Sequence, residues 1–333
     1  MKRLLIESHV PYVPDELAAY FDIERVAPAD ITNEKIKDFD AIIVRTRTHC
    51  DASLLDNTRV SIVATATIGI DHFDLPYLAS AGIEAVNAPG CNAPAVAQYV
   101  FASLLKLYPT LKGLTIGVVG VGNVGGIVAE WGRQLGMNVM LCDPPREEAE
   151  GSDRFSDLHE IARKADIITF HTPHTKSGKY PTHHLADKAF FDSLVHPTVI
   201  VNAARGPIVD TAALIGAIKS GKVSRAVIDT WENEPEISTE LLSLADIATP
   251  HIAGYSLNGK IRASMMTINA ICRHFDIPYR FVPQIPAGAA ERVTEASIKS
   301  SYDPTADTEA LRRSPATFER QRDSYPLRDE VEA

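Results

Sequence analysis

Apolar positions along this chain come in short runs of strand type, separated by stretches with helical spacing. Over residues 1–90 the runs LLIES, DIERV, DAIIVRT, SIVATAT and GIEAVNAP read as strands, and 15–21, 51–57 and 73–81 as helices. Strand and helix in alternation predict a parallel sheet covered on both faces. Residues 93–108, APAVAQYVFASLLKLY, predict a strongly apolar helix that bridges two domains, with Asn92 as its N-cap. Beyond it DIITFHTP, TVIVNAARG, RAVIDTW and DIATPHIAG continue the strands, connected by helical stretches at 157–165, 187–194, 210–220 and 238–244. Ile261, Met265, Ile268 and Cys272 keep helical spacing within 256–276, a helix that could run back to the first domain. From about 281 proline and charge rise and periodicity weakens, which predicts a small appended region, partly ordered at best.

The expected fold class is therefore α/β. Two doubly wound parallel-sheet, Rossmann-like domains are predicted: a discontinuous one from 1–90 and 256–280, and a second from 91–255. A short C-terminal region, 281–333, is a candidate dimerisation element.

One stretch breaks the alternation in an informative way. The strand-like run Ile116 to Val119 leads at once into Gly120-Val121-Gly122-Asn123-Val124-Gly125, then into helical spacing from Ile127 to Leu135. A second apolar run, Val139 to Cys142, ends on Asp143, 23 residues after Gly120. Strand, glycine turn, helix, strand and acid in this register predict a dinucleotide site. Gly120 suits the tight turn, Gly122 the approach of backbone to a pyrophosphate, and Gly125 close helix–strand packing. The helix start, with Asn123 and Val124, offers N–H groups and a positive dipole end to phosphates. A carboxylate at Asp143 binds ribose hydroxyls and repels a 2′-phosphate, so NAD is expected over NADP. The first domain has no such fingerprint.

Three polar residues follow later strand-like runs: Arg205 in NAARG, Glu234 in DTWENEP and His251 in TPHIAG. Singly they would read as a surface charge, a helix start and a loop histidine. Together, at strand ends of one dinucleotide domain, they match what alcohol oxidation by hydride transfer needs. A base must take the hydroxyl proton, a cation must hold a substrate carboxylate, and a partner must fix the base.

Composition narrows the partners. The net charge is −10, so no basic footprint points to nucleic acid or an anionic membrane, and anionic substrates must be held by local arginine or lysine. Cys50, Cys91, Cys142 and Cys272 lack paired spacing and read as reduced thiols. With no signal peptide and no membrane-length apolar run, a soluble cytoplasmic protein is expected. His171 and His174 flank a proline near His183 and His184, without further ligands at zinc spacing, so no metal is expected.

NAARGPIVD, DTWENEP and TPHIAG, downstream of VGVGNVGG, resemble the signature blocks of the D-2-hydroxyacid dehydrogenases. The resemblance spans roughly 1–280 and recurs loosely in YDPTADTEALRR and FERQRDSYPLRDE. It implies a discontinuous substrate domain, an NAD domain and a homodimer. It also implies roles: Arg205 for the substrate carboxylate, His251 as acid–base and Glu234 as its partner. Thr172, Ala203, Ala204, Arg205, Asp229 and Gly254 would join the turn and Asp143 around the cofactor. Arg45, Thr46, Thr67 and Tyr255 would contact substrate. TATIGIDHFD, NAPGCNAPAVAQYVF and HIAGYSLNGKIR point to a subgroup with a small phosphorylated 2-hydroxy acid substrate. Arg45, with Arg47, Lys260 and Arg262 as further candidates, could then bind the phosphate. The alternatives are a glycerate or 3-phosphoglycerate type of dehydrogenase, or an NAD-sensing, corepressor-like binding protein.

Overall fold

The structure is a computed structural model of the chain and describes residues 1–283 and 292–331. The chain forms two compact units: Met1–Asn92 with Ser256–Pro286, and Ala93–Tyr255 with Ala287–Ala333.

The first unit holds five strands, β1 (Lys2–Glu7), β2 (Phe21–Val26), β3 (Ala41–Val44), β4 (Ile62–Thr65) and β5 (Glu84–Val86). They pair in parallel in the order β2-β1-β3-β4-β5. β3 and β4 are buried at every position, because a parallel strand covered on both faces needs a continuous apolar run. Period-two geometry sends Ile43 to one core, with Leu4, Ile6, Ile268 and Ile271, and Ile42 to the other, with Leu5, Val63 and Leu78. Asp51 and Asp74 cap the helices Ala52–Leu55 and Leu75–Ser80. The stretch 15–21 forms only a 3₁₀ turn, Asp15–Ala19, and a short helix, Asn33–Ile36, starts at a Thr32 cap that periodicity does not reveal. The helix Leu257–His274, capped by Ser256, packs on β4 of this unit.

The second unit holds β6 (Thr115–Val119), β7 (Asn138–Cys142), β8 (Ile167–Phe170), β9 (Thr198–Asn202), β10 (Val223–Ile228) and β11 (Ile247–Ala248). All pairings are parallel, in the order β11-β10-β9-β8-β6-β7. Chain order turns back at β6, flanked by β7 on one side and β8 on the other. Such a switch opens a crevice at the carboxyl ends of the strands. The helix Ala93–Leu107 lies against Asn123–Gln134, with the Phe101 and Trp131 rings 6.3 Å apart. Asn92 does not cap it: the Asn92 Oδ1 is buried with no hydrogen-bond partner.

The C-terminal stretch differs from expectation. Residues 292–331 carry helices Glu295–Ser301, Thr305–Arg313 and Phe318–Asp323, while 284–291 and 332–333 of the expected appendage lie outside the described residues. Thr294 and Ser297 close a capping box, and Ile298, Leu311, Phe318 and Val331 enter the cores of the second unit. Fully burying one such side chain contributes about 1.5–3 kcal/mol. These anchors are too sparse to give a periodic signal, so the order was not legible. Among the described residues no helix is long and apolar enough to cross a membrane.

Candidate active site

The glycine turn follows β6, and each glycine meets a different constraint. Gly120 has φ +87°, and a Cβ there would lie 2.7 Å from the Thr172 amide nitrogen. At Gly125 a Cβ would lie 1.9 Å from the Gly120 carbonyl oxygen, so only glycine lets the helix seat on the turn. Gly122 is exposed, with nothing within 4 Å of its Cβ position. That open side is where a ligand phosphate can approach backbone. No side chain caps the helix Asn123–Gln134, which leaves its first N–H groups to a ligand. Asn123 is exposed beside Gly122, and Val124 is half-buried.

Asp143, at the end of β7, braces this turn. Its Oδ2 accepts the Val121 N–H at 2.8 Å and its Oδ1 the Arg146 N–H at 3.1 Å. An ionised carboxylate has lone pairs beyond these two bonds for ribose hydroxyls. At the end of β8, beside Gly120, the Thr172 hydroxyl is buried with no partner. A glycine cradle, an uncapped helix start, an acid and an orphaned hydroxyl along one sheet edge fit a dinucleotide.

The same edge carries a histidine–glutamate pair. His251 Nδ1 lies 2.8 Å from Glu234 Oε2, while Glu234 Oε1 accepts the Trp231 N–H at 2.8 Å. Burial opposes ionisation of Glu234, but His251, the Trp231 amide and Arg322 outweigh it and hold its carboxyl below the ordinary value. Glu234 therefore stays charged through the neutral range, and its bond selects a ring with Nδ1 protonated and Nε2 open. His251 sits at φ +57°, a left-handed backbone that costs a non-glycine residue about 1–3 kcal/mol.

Asp229, just past β10, supports that loop. Its carboxylate accepts the Ile252 and Ala253 N–H groups at 2.8 and 3.0 Å, and Thr249 Oγ1 lies 2.7 Å from both Asp229 Oδ1 and Tyr99 Oη. Burial pushes the Asp229 carboxyl up, against His251 and these hydrogen bonds. Arg205 follows β9 on a half-buried loop, its Nη1 donating to Ala204 O at 2.8 Å. The Asn202 side chain shapes this loop, donating to Arg205 O at 3.1 Å and accepting from Ala204 N at 3.3 Å. Ala203 and Ala204, just past β9, and Gly254, in the loop after β11, are half-buried. Tyr255 packs edge-on against Tyr325, centroids 6.1 Å apart.

Sequence reasoning missed several supports. A Cβ on Gly206 would lie 1.8 Å from Trp231 O, and Trp231 Nε1 donates to Thr249 O at 2.9 Å, tying three strand ends together. Gly206 was readable as a glycine in NAARG, but the carbonyl that crowds it comes from another strand. Arg322 and Arg328 lie in FERQRDSYPLRDE, where the resemblance is only loose, and nothing in that stretch marked either as a site residue.

In the first unit, Arg45, Thr46 and Arg47 follow β3. Buried Glu7 accepts the Arg45 N–H at 2.8 Å; Arg45 Nη1 reaches His9 O at 3.4 Å, and Arg45 Nε is buried with no partner. Thr46 is exposed. Thr67 follows β4, 2.7 Å from the Thr65 hydroxyl and donating to Gly69 O at 3.1 Å. Arg262 Nε donates to Cys91 O at 2.7 Å, and Lys260 lies two residues earlier on the same helix. All four cysteines are buried thiols, and burial raises Cys50 and Cys142 to about 12. His174 Nε2 and His183 Nδ1 lie 3.1 Å apart, but among the described residues no three His, Cys, Asp or Glu side chains gather as a metal site requires.

Comparison with known proteins completes the description. Residues 98–253 match the model of the D-isomer specific 2-hydroxyacid dehydrogenase NAD binding domain. An erythronate-4-phosphate dehydrogenase of Bacteroides fragilis (strain YCH46) is 48% identical, covering 98% of this chain and 97% of its own. One from Proteus mirabilis (strain HI4320) is 38% identical, over 98% and 92%. The crystal structure of D-lactate dehydrogenase from Aquifex aeolicus, complexed with NAD and lactic acid, superposes with a TM-score of 0.66 at 25% identity, covering 82% of this chain and 96% of that one. The protein is an NAD-dependent oxidoreductase with an α/β fold of two parallel-sheet units. It belongs to the D-isomer-specific 2-hydroxyacid dehydrogenases and, within them, to the erythronate-4-phosphate dehydrogenase family.

Proposed function

We propose that the protein oxidises 4-phospho-D-erythronate to 2-oxo-3-hydroxy-4-phosphobutanoate in pyridoxal-phosphate (vitamin B6) biosynthesis. The observation that carries the chemistry is the 2.8 Å pairing of His251 with Glu234 on the strand-end edge that also holds the glycine turn. Relatives named for this reaction, 38–48% identical over nearly the whole chain, support the substrate. NAD, when bound, supplies the hydride acceptor. Arg205 holds the substrate carboxylate, a pairing its forked donors suit. His251 Nε2 takes the C2 hydroxyl proton as the C2 hydride leaves, so the alcohol becomes a ketone. Glu234 then faces an imidazolium and stabilises it. Gly120, Gly122, Asn123, Val124 and Gly125 cradle the cofactor phosphates, and Asp143 holds its ribose. Thr172, Ala203, Ala204 and Gly254 line the cofactor, and Asp229 acts there through the His251 loop. Arg45, Thr46, Thr67 and Tyr255 contact substrate, with Arg47, Lys260 and Arg262 as further phosphate candidates. A cytoplasmic homodimer belongs to the same reading and rests on the family resemblance.

The test is NADH formation with 4-phospho-D-erythronate, D-erythronate, D-glycerate and 3-phosphoglycerate as substrates. The phosphorylated four-carbon acid should have the highest kcat/KM. Losing one charge-assisted phosphate contact should cost on the order of 1.5–3 kcal/mol, roughly 10–10²-fold. Equal efficiency on D-erythronate would overturn the phosphate assignment, and a preference for 3-phosphoglycerate would overturn the substrate.

A further inference from the structure

His251 holds a left-handed backbone, and the loop that keeps it there is gripped on both sides within the second unit. On the amide side, Asp229 accepts the Ile252 and Ala253 N–H groups, and the His251 N–H itself is shared between Asp229 O at 2.8 Å and Thr249 O at 3.0 Å. On the carbonyl side stands Arg328, from the C-terminal segment. Its Nη1 donates to Ile252 O at 3.0 Å, and its Nη2 donates to Ala253 O and, at 3.1 Å, to Ala95 O. One planar fork thus spans the two peptide carbonyls that follow His251 and ties them to the start of the helix Ala93–Leu107.

The guanidinium is itself fixed. It lies 4.5 Å from the centre of the Tyr302 ring, and Tyr302 and Tyr325 both donate to Asp307 Oδ2, at 2.7 and 2.9 Å. Satisfying a lone carbonyl does not explain this arrangement. Ile252 O already accepts the Tyr255 N–H at 2.9 Å, so the arginine adds a second, directional bond. A fork fixes direction where a single ammonium cannot.

We infer that Arg328 is a positioning residue for His251: by bridging the Ile252 and Ala253 carbonyls, it holds the loop that aims the imidazole at the substrate hydroxyl. The inference rests on the proposed role of His251 and goes beyond it, because it makes the C-terminal segment part of the catalytic apparatus. The charged and titratable groups facing that loop are Glu234 and Asp229 from the β10 side, Tyr99 from the helix Ala93–Leu107, Arg322, Tyr325 and Arg328 from the C-terminal segment, and Tyr255 from the loop itself. Arg328 makes its bonds to backbone carbonyls and not to the ring, so its loss should change aim more than protonation.

The test compares Arg328→Lys and Arg328→Gln with wild type in steady-state kinetics, NAD titration, thermal melts, and amide hydrogen exchange of Ile252 and Ala253. Misaiming a base by about an ångström costs on the order of 10²-fold in rate. In Arg328→Gln kcat should fall by about that factor. The fall should be smaller in Arg328→Lys, which keeps the charge and can fold where the glutamine variant does not. NAD affinity and the pH midpoint of the rate should hold, while the two amides exchange faster than those of β10. A lower melting temperature with unchanged kcat and unchanged exchange at these amides would show a merely structural arginine and overturn the inference. Loss of NAD affinity in step with kcat would overturn it too, by moving the effect to the cofactor. Full activity of His251→Ala would instead overturn the role of His251 itself, and so separates that failure from this one.

Discussion

A methyl group at position 125 would have to occupy space 1.9 Å from the Gly120 carbonyl oxygen, and that oxygen belongs to the turn itself. Neither partner can yield without moving the helix Asn123–Gln134 off the sheet. Gly125→Ala is therefore expected to destabilise the protein by about 1–3 kcal/mol, as overpacking does, and to weaken NAD binding. Urea unfolding at neutral pH checks the first effect, and an unchanged midpoint would contradict it. The need for glycine here was legible in the sequence as close helix–strand packing, and Val118 Cγ1 at 3.2 Å fits that, but the nearest obstacle is the turn's own carbonyl. Gly206 was not legible in the same way, because the Trp231 carbonyl that forbids its Cβ arrives from a strand that only the fold brings near. Asp143 shows a third situation. Its spacing from Gly120 predicts a ribose ligand, while its grip on the Val121 and Arg146 amides appears only in three dimensions.

Strand ends carry the candidate site residues, and β8 shows what burial of a polar side chain there costs. The His171 ring follows it, with Nε2 2.9 Å from Thr169 Oγ1 and Nδ1 buried without a partner. Burial lowers its pKa to about 3, against about 6.5 in an unfolded chain. Between those values the unfolded state binds the extra proton, so stability rises with pH and is lost as pH falls below about 6.5. The contribution approaches 1.4 kcal/mol per pH unit, an order-of-magnitude ceiling. The window from about pH 5 to 6.5 lies above the ordinary glutamate value, so the depressed Glu234 does not share it. Unfolding free energy should therefore fall less steeply with acid over this window in His171→Gln than in wild type. Parallel slopes would show that His171 is protonated or solvated in the folded protein. Helix ends were read less well than strands. Asp51 and Asp74 cap as their residue type suggests, yet Asn92 does not: its side-chain oxygen is buried without a hydrogen-bond partner.

At the scale of the molecule, the order of elements was legible because strand and helix alternate with strong apolar contrast. The C-terminal segment was not. Its buried anchors, Ile298, Leu311, Phe318 and Val331, are scattered among charges, and each is paid for by a core built far away in sequence. The pair of His251 and Glu234 lay between these extremes. Its members were visible in signature blocks, but what fixes them was not: Arg328 reaches Ile252 from 76 residues away. The central claim is that His251, paired with Glu234, takes the hydroxyl proton during NAD-dependent oxidation of 4-phospho-D-erythronate. The most direct measurement is the rate of NADH formation from that substrate by wild type and His251→Ala, with NAD affinity measured in both. The account predicts that wild type turns over, that the variant loses about 10²–10⁴-fold in kcat, and that NAD binding persists. A wild type that forms no NADH, or a His251→Ala variant that forms it at the wild-type rate, would contradict it.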